Sequence, residues 1–241
     1  MTEVKVFTFA PAWGLPTSGP FALKLLKWLD LAGLPYTQVV EQFSQKGPKG
    51  KNPWIELDGE LIADTEIIID LLARRSGFDI DAGLTPEQRG RSHAVRRMIE
   101  EHFHMVLEWE LFVHPAGIEG GARQMARESV PAPLAGLATA YITRHFGKQL
   151  HARGIARHAP DIIAKKAHAD LDALEALIGD GPYLNGPRLS MADVVVYGLL
   201  MPMARWPMKT PAAESIKSRP RLMAYLDRVH EARAERPSVP A

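Results

Sequence analysis

The sequence predicts a small α/β unit followed by an all-helical one. Residues 4–43 read as strand, helix and strand in turn. A hairpin and one more helix complete the first unit by about residue 78. Everything after residue 90 has helical spacing.

The elements follow in order. "VKVFTF" at 4–9 alternates in the manner of a strand, and the Gly/Pro-rich loop "APAWGLPTSG" follows it. Pro20 suits the first turn of a helix, where its missing N–H is not needed. The helix carries Phe21, Leu25, Leu26 and Leu29 on one face, and Gly33 supplies its left-handed stop. "LPYTQVVEQF" reads as a second strand, so the connection favours a right-handed parallel crossover. After the basic loop "SQKGPKGKN", Asp58-Gly59 marks a two-residue hairpin inside "PWIELDGELIA". "TEIIIDLLARRSG" is a helix closed by Gly77. The expected division is a domain at 1–78, a polar linker at 79–90 and a helical domain at 91–241.

In the second part, Val95, Met98, Met105, Trp109 and Phe112 form an apolar stripe that includes His102. Arg97, Glu101, His104 and Glu108 fall on another face. Further helices are expected at about 133–152, 160–179, 191–201 and 219–233. Before "VVV", Ser190 and Asp193 have the spacing of a capping box, flanked by Leu189 and Val194 at staple positions. Replacing either capping residue is expected to cost about 0.5–2 kcal/mol.

The chain has 241 residues, a formal net charge of +1 and no cysteine. Near-neutrality argues against nucleic acid as a partner. Without cysteine there is no disulfide, no thiolate metal ligand and no thiol chemistry of the protein's own. Any thiol must arrive on a ligand. His102 and His104 diverge on a helix, His151, His158 and His168 lie on separate segments, and no H-E-x-x-H occurs, so no metal site is expected. "MTEVKVFTFAP" lacks the basic start and apolar block of a signal peptide, and no stretch reaches the ~18 apolar residues of a membrane span. The expectation is a soluble, cytoplasmic protein with no membrane partner.

"TSGPFALK" at 17–24 resembles the place where a glutaredoxin keeps its C-P-Y-C, with Gly19 and Ala22 at the two cysteine positions. "KGKNPWIELDGELIADTEIIIDLL", "LSMADVVVYG", "GIARHAPDII" and "RRMIEEHFHMVLEWELF" extend the likeness over nearly the whole chain. Together they resemble the glutathione S-transferase-like family, in its failed-axon-connections and metaxin-like branch. The resemblance implies a thioredoxin-like N-terminal domain and an all-α C-terminal domain, the glutathione S-transferase fold.

It also implies roles for particular residues. A cis bond before Pro53 turns the backbone of Asn52 toward a γ-glutamyl tripeptide, which pairs with it as a short extra strand. Asp64 and Thr65, at a helix N-terminus, receive the glutamyl end; an N-cap role for one of them is compatible with this. The usual family pair ends in Ser, so Asp-Thr departs slightly. Lys51 or Lys49 meets the glycyl carboxylate, or is simply part of a solvated loop. Trp13, Phe103, Trp109, Tyr141 and Trp206 are candidates to line an interdomain cleft, with core packing the competing role and Trp13 the best placed. The usual serine or cysteine before Pro-Phe is replaced by Gly19, which leaves Ser18 or Thr17 as thiolate partner, or Ser18 as a helix cap.

The function implied is a glutathione transferase-like enzyme joining the thiolate of its co-substrate glutathione to a small electrophile, as a homodimer without metal. A non-catalytic glutathione-binding or protein-interaction module on the same scaffold is the alternative.

Overall fold

The first strand, β1 (Val4–Thr8), buries Val4, Val6 and Thr8 and turns Lys5 outward, as its alternation predicts. This computed structural model describes residues 4–233. Helix α1 (Pro20–Ala32) leads to β2 (Tyr36–Val40), which pairs parallel to β1. Strands β3 (Trp54–Leu57) and β4 (Glu60–Ala63) add antiparallel, giving the order β2-β1-β3-β4. Helix α2 (Thr65–Ser76) closes this thioredoxin-like unit and ends on Gly77 at φ +74°.

The second unit is helical, as expected. Helix α3 (Pro86–Arg97) passes through a π-helical stretch at Met98–Phe103 into α4 (His104–Phe112). Short helices α5 (Pro115–Gly117) and α6 (Arg123–Ser129) precede α7 (Ala135–Ala152) and α8 (Pro160–Ile178). Helices α9 (Met191–Arg205), α10 (Pro211–Lys217) and α11 (Pro220–Glu231) complete the bundle. Helix α3 starts at Pro86 rather than 91 because Thr85 and Gln88 form a reciprocal capping box around it. Helix α9 runs four residues beyond the expected 201, through Pro202 to Arg205. Among the described residues no helix is long and apolar enough to cross a membrane.

The two units meet along α1 and α9. Gly198 makes the approach possible, since a Cβ there would stand 2.9 Å from the backbone nitrogen of Lys24. Lys24 is fully buried and donates to Glu100 at 2.6 Å. Arg97 donates to Glu100 at 2.7 Å, and Arg96 and Arg97 each reach Glu66, in the first turn of α2, at 2.5 Å. Charged side chains therefore tie both helices of the first unit to α3 and its π-helical continuation.

Candidate active site

A cleft of about 700 Å³ opens between the two units. One wall is built around the N-terminus of α1. The loop before it makes a two-residue turn in which Ala12 and Leu15 exchange backbone hydrogen bonds, with Trp13 at φ +54° and Gly14 at +74°. A bulky residue at positive φ is uncommon. Here the indole is held edge-on to Trp206 at 6.0 Å, and Trp13 lines the cleft.

Thr17 and Ser18 separate in the structure. Thr17 is wholly buried, does not line the cleft, and its hydroxyl accepts the Gly19 N–H at 3.1 Å. It is a structural cap on the loop, and that burial removes it from the candidates that sequence proximity offered. Ser18 lines the cleft, makes no side-chain hydrogen bond among the described residues, and does not cap α1. With the Gly19 N–H taken by Thr17 and none on Pro20, Phe21 is the residue of the α1 tip that brings an amide to the cleft, since Ala22 is wholly buried.

Gly19 itself faces the Pro53 loop. A Cβ there would lie 3.2 Å from the Phe9 ring and 3.5 Å from the Asn52 side-chain oxygen. The Asn52–Pro53 bond is cis. Both polar atoms of the Asn52 side chain are buried and have no protein partner, although Asn52 lines the cleft. A buried amide left so costs about 1–3 kcal/mol unless something else bonds to it.

The N-terminus of α2 forms the next part of the same wall. Asp64 caps α2 by accepting the Glu66 N–H at 3.0 Å, and its φ of +85° is a strained value for a side chain of this kind. Thr65 lines the cleft with a hydroxyl that has no protein partner among the described residues. Lys49 and Lys51 line the cleft as well, and the Lys49 ammonium stands 3.7 Å from Asp64. Ser18, Lys49, Lys51, Asn52, Pro53, Asp64 and Thr65 thus converge with Trp13 on the cleft.

The opposite wall is largely apolar. Leu107, Leu111, Phe112, Met125, Tyr141 and Phe146 line it, with Phe112 and Phe146 stacked at 3.9 Å. Phe103, Trp109 and Trp206 are in the core instead and do not line the cleft. The three–four stripe that carries Phe103's neighbours and Trp109 is the face α4 packs inward. His102 lies off the cleft, bonded through Nδ1 to Asp170 at 2.5 Å.

Sequence reading missed one polar patch on this wall. His104 and Glu108, placed only on a second helix face, line the cleft together with Arg153 from the end of α7. Arg153 donates to Glu108 at 3.1 Å, and His104 Nε2 stands 3.7 Å from the other Glu108 oxygen. The His104 ring meets Phe21 edge-on at 4.9 Å. Burial pulls the His104 pKa down to about 4, with the charges of Arg153 and Lys51 acting the same way, while burial pushes Glu108 up.

A depressed histidine pKa stabilises the fold above the unfolded value and loses that contribution as pH falls. Acidification from about 6.5 to about 4 should therefore lower stability by roughly 1.4 kcal/mol per pH unit through this group. Urea unfolding of the native chain and of His104→Phe across that range checks this, the variant having the shallower slope.

Comparisons with known proteins agree with this geometry. The pattern of the Glutathione S-transferase N-terminal domain matches residues 20–117, and that of the Glutathione S-transferase C-terminal domain matches 167–229. An isoprene-epoxide–glutathione S-transferase of Rhodococcus sp. (strain AD45) is 28% identical over 244 residues, covering 95% of this chain and 98% of the other. Failed axon connections of Drosophila melanogaster is 30% identical over 205 residues, 82% of this chain. This chain spans about half of that protein's length, 49%. Among solved structures, a beta-etherase from Sphingobium sp. strain SYK-6 superposes with a TM-score of 0.61 at 19% identity, over 96% of each chain. A glutathione transferase from Populus trichocarpa does so at 0.59 and 15%, over 95% of this chain and 94% of the other. At such identities these two show the shared fold.

Proposed function

Since the chain belongs to the glutathione S-transferase family, in the branch of Failed axon connections, we propose that it joins the thiolate of glutathione to small apolar electrophiles. One observation carries this reading: the orphaned Asn52 amide, Ser18 and Phe21 at the α1 tip and the α2 N-terminus share one cleft. The γ-glutamyl carboxylate docks at the α2 tip on the Thr65 hydroxyl and backbone amides, and Asp64 receives the ammonium. Lys51 and Lys49 meet the glycyl carboxylate. The sulfur then lies at the α1 tip, between Ser18 and the amide of Phe21. The electrophile occupies the apolar wall beside Trp13. An epoxide is a fitting substrate class, given the activity that the name of the Rhodococcus relative states.

The thiolate needs support. A free thiol has a pKa near 8.5, and lowering it by about two units takes roughly 2.7 kcal/mol of preferential stabilisation. The Phe21 amide at a positive helix end plus the Ser18 hydroxyl are suited to that task. Glutathione is a co-substrate here, and the reading includes a cytoplasmic homodimer. A second reading, a non-catalytic binding module, is favoured by one observation: Gly19 offers no hydroxyl where the family usually has one.

Calorimetry with glutathione, followed by turnover of electrophiles, tests both. Thr65→Ala should weaken glutathione binding about tenfold, the value of a hydrogen bond to a charged group. Ser18→Ala should lower kcat/KM by about tenfold or more while leaving binding nearly intact. Heat without turnover supports the binding module, and no heat removes both readings.

A further inference from the structure

Resting on the transferase reading, we infer that His104 and Arg153 receive the oxygen that becomes negative when a strained cyclic ether is opened in the cleft. The observation is one of placement. Beside Leu107, Leu111 and Phe112, these two side chains are N–H donors that line the cleft next to the α1 tip. His104 makes no hydrogen bond to protein among the described residues, though it lines the cleft and is mostly enclosed. Its ring packs on Phe21, whose amide belongs to the α1 tip that holds the sulfur. Glu108 accepts from the guanidinium of Arg153 and acts as a positioning residue. The patch therefore borders the α1 tip, where sulfur and the ring carbon would meet.

The chemistry balances with these groups and water. Glutathione gives its proton to water on forming the thiolate. Sulfur attacks a ring carbon, the C–S bond forms, the C–O bond breaks, and the electron pair goes to oxygen. The alkoxide is held by the imidazole N–H and the guanidinium, then takes a proton from water. An imidazole whose pKa lies near 4 is neutral at pH 7, so it holds one N–H for this purpose and presents no competing positive charge to the thiolate. A leaving halide, by contrast, makes little use of such donors.

The test compares two electrophiles with glutathione: styrene oxide, whose opening yields an alkoxide, and 4-nitrobenzyl chloride, which releases chloride. His104→Phe keeps the ring volume and removes the N–H; Arg153→Met alters a half-exposed side chain and preserves the fold. Each should lower kcat/KM for the oxide by about a hundredfold, the usual scale for removing one such donor. That loss should exceed the loss on the chloride at least tenfold. His104→Gln, which keeps a donor, should recover much of the oxide rate. Equal losses on both electrophiles, or an oxide rate unchanged in both variants, overturns the assignment and leaves the transferase reading standing. So does a native chain that consumes the chloride and not the oxide. Turnover of neither overturns both.

Discussion

Replacing Glu100 with alanine is expected to cost the protein about 3–5 kcal/mol, the usual result of leaving one member of a buried ion pair alone. The partner left behind is Lys24, whose side chain is 1% exposed against 5% for Glu100. Burial lowers the Lys24 pKa, and the largest opposing influence is the Glu100 charge. Without it the ammonium must lose its proton or admit water between α1 and α9. Arg97 keeps Glu66 and Glu101, so its own loss is minor. The sign of the pH effect follows. A lysine with a depressed folded pKa makes the unfolded state the stronger proton binder, so stability of Glu100→Ala should climb as pH rises toward about 10.4. Urea unfolding at pH 7 and pH 9.5 measures both effects. The double variant Lys24→Met/Glu100→Leu should recover most or all of the loss. A single-variant cost under about 1 kcal/mol, the level of a surface pair, would refute the argument.

Asp193→Ala is the second large effect, expected at about 3–5 kcal/mol and well above the range foreseen for a capping residue. The carboxylate is fully buried and accepts from four donors. These are the Ser190 N–H at 2.8 Å, the Ser190 hydroxyl at 2.6 Å, the Leu184 N–H at 2.9 Å and the Tyr225 hydroxyl at 2.8 Å. One side chain thus starts α9, fixes the preceding turn and anchors α11. Ser190→Ala leaves the Leu184 and Tyr225 bonds in place and should stay within about 0.5–2 kcal/mol. Thermal unfolding of the two variants side by side distinguishes a network from a simple cap; similar costs would mean that Leu184 and Tyr225 contribute nothing.

The local devices of this fold are legible in sequence because they depend on near neighbours. Pro20 at a helix start, Asp58-Gly59 in a hairpin, Gly33 and Gly77 at helix ends and the Ser190–Asp193 box all sit where short-range chemistry puts them. "TPEQ" at 85–88 carried the same kind of signal, a capping box with proline in the first turn, and it moves the start of α3 into the stretch read as linker.

What sequence does not show is set by contacts distant along the chain. Thr17 and Ser18 are equivalent on paper, and only the path of the loop buries one and exposes the other. Trp109 and Trp206 look like cleft aromatics until the bundle closes over them. Arg153 joins Glu108 across 45 positions, and the π-helical turns at Met98–Phe103 shift the faces that a regular helix would present. The same holds for Lys24, whose neighbours in sequence give no sign that it is among the most enclosed side chains in the protein.

The contact at Gly198 sets a rule for recombining this chain with its kin. A hybrid taking its sheet unit from one parent and its bundle from another brings together surfaces that never co-evolved. Position 198 must stay without a side chain for the α1 backbone to seat, and positions 24 and 100 must be inherited as a matched pair. A cut between the units always separates position 24 from positions 100 and 198, so hybrids should be soluble where both parents carry Lys24, Glu100 and Gly198 or where these are restored by substitution, and insoluble where they are not.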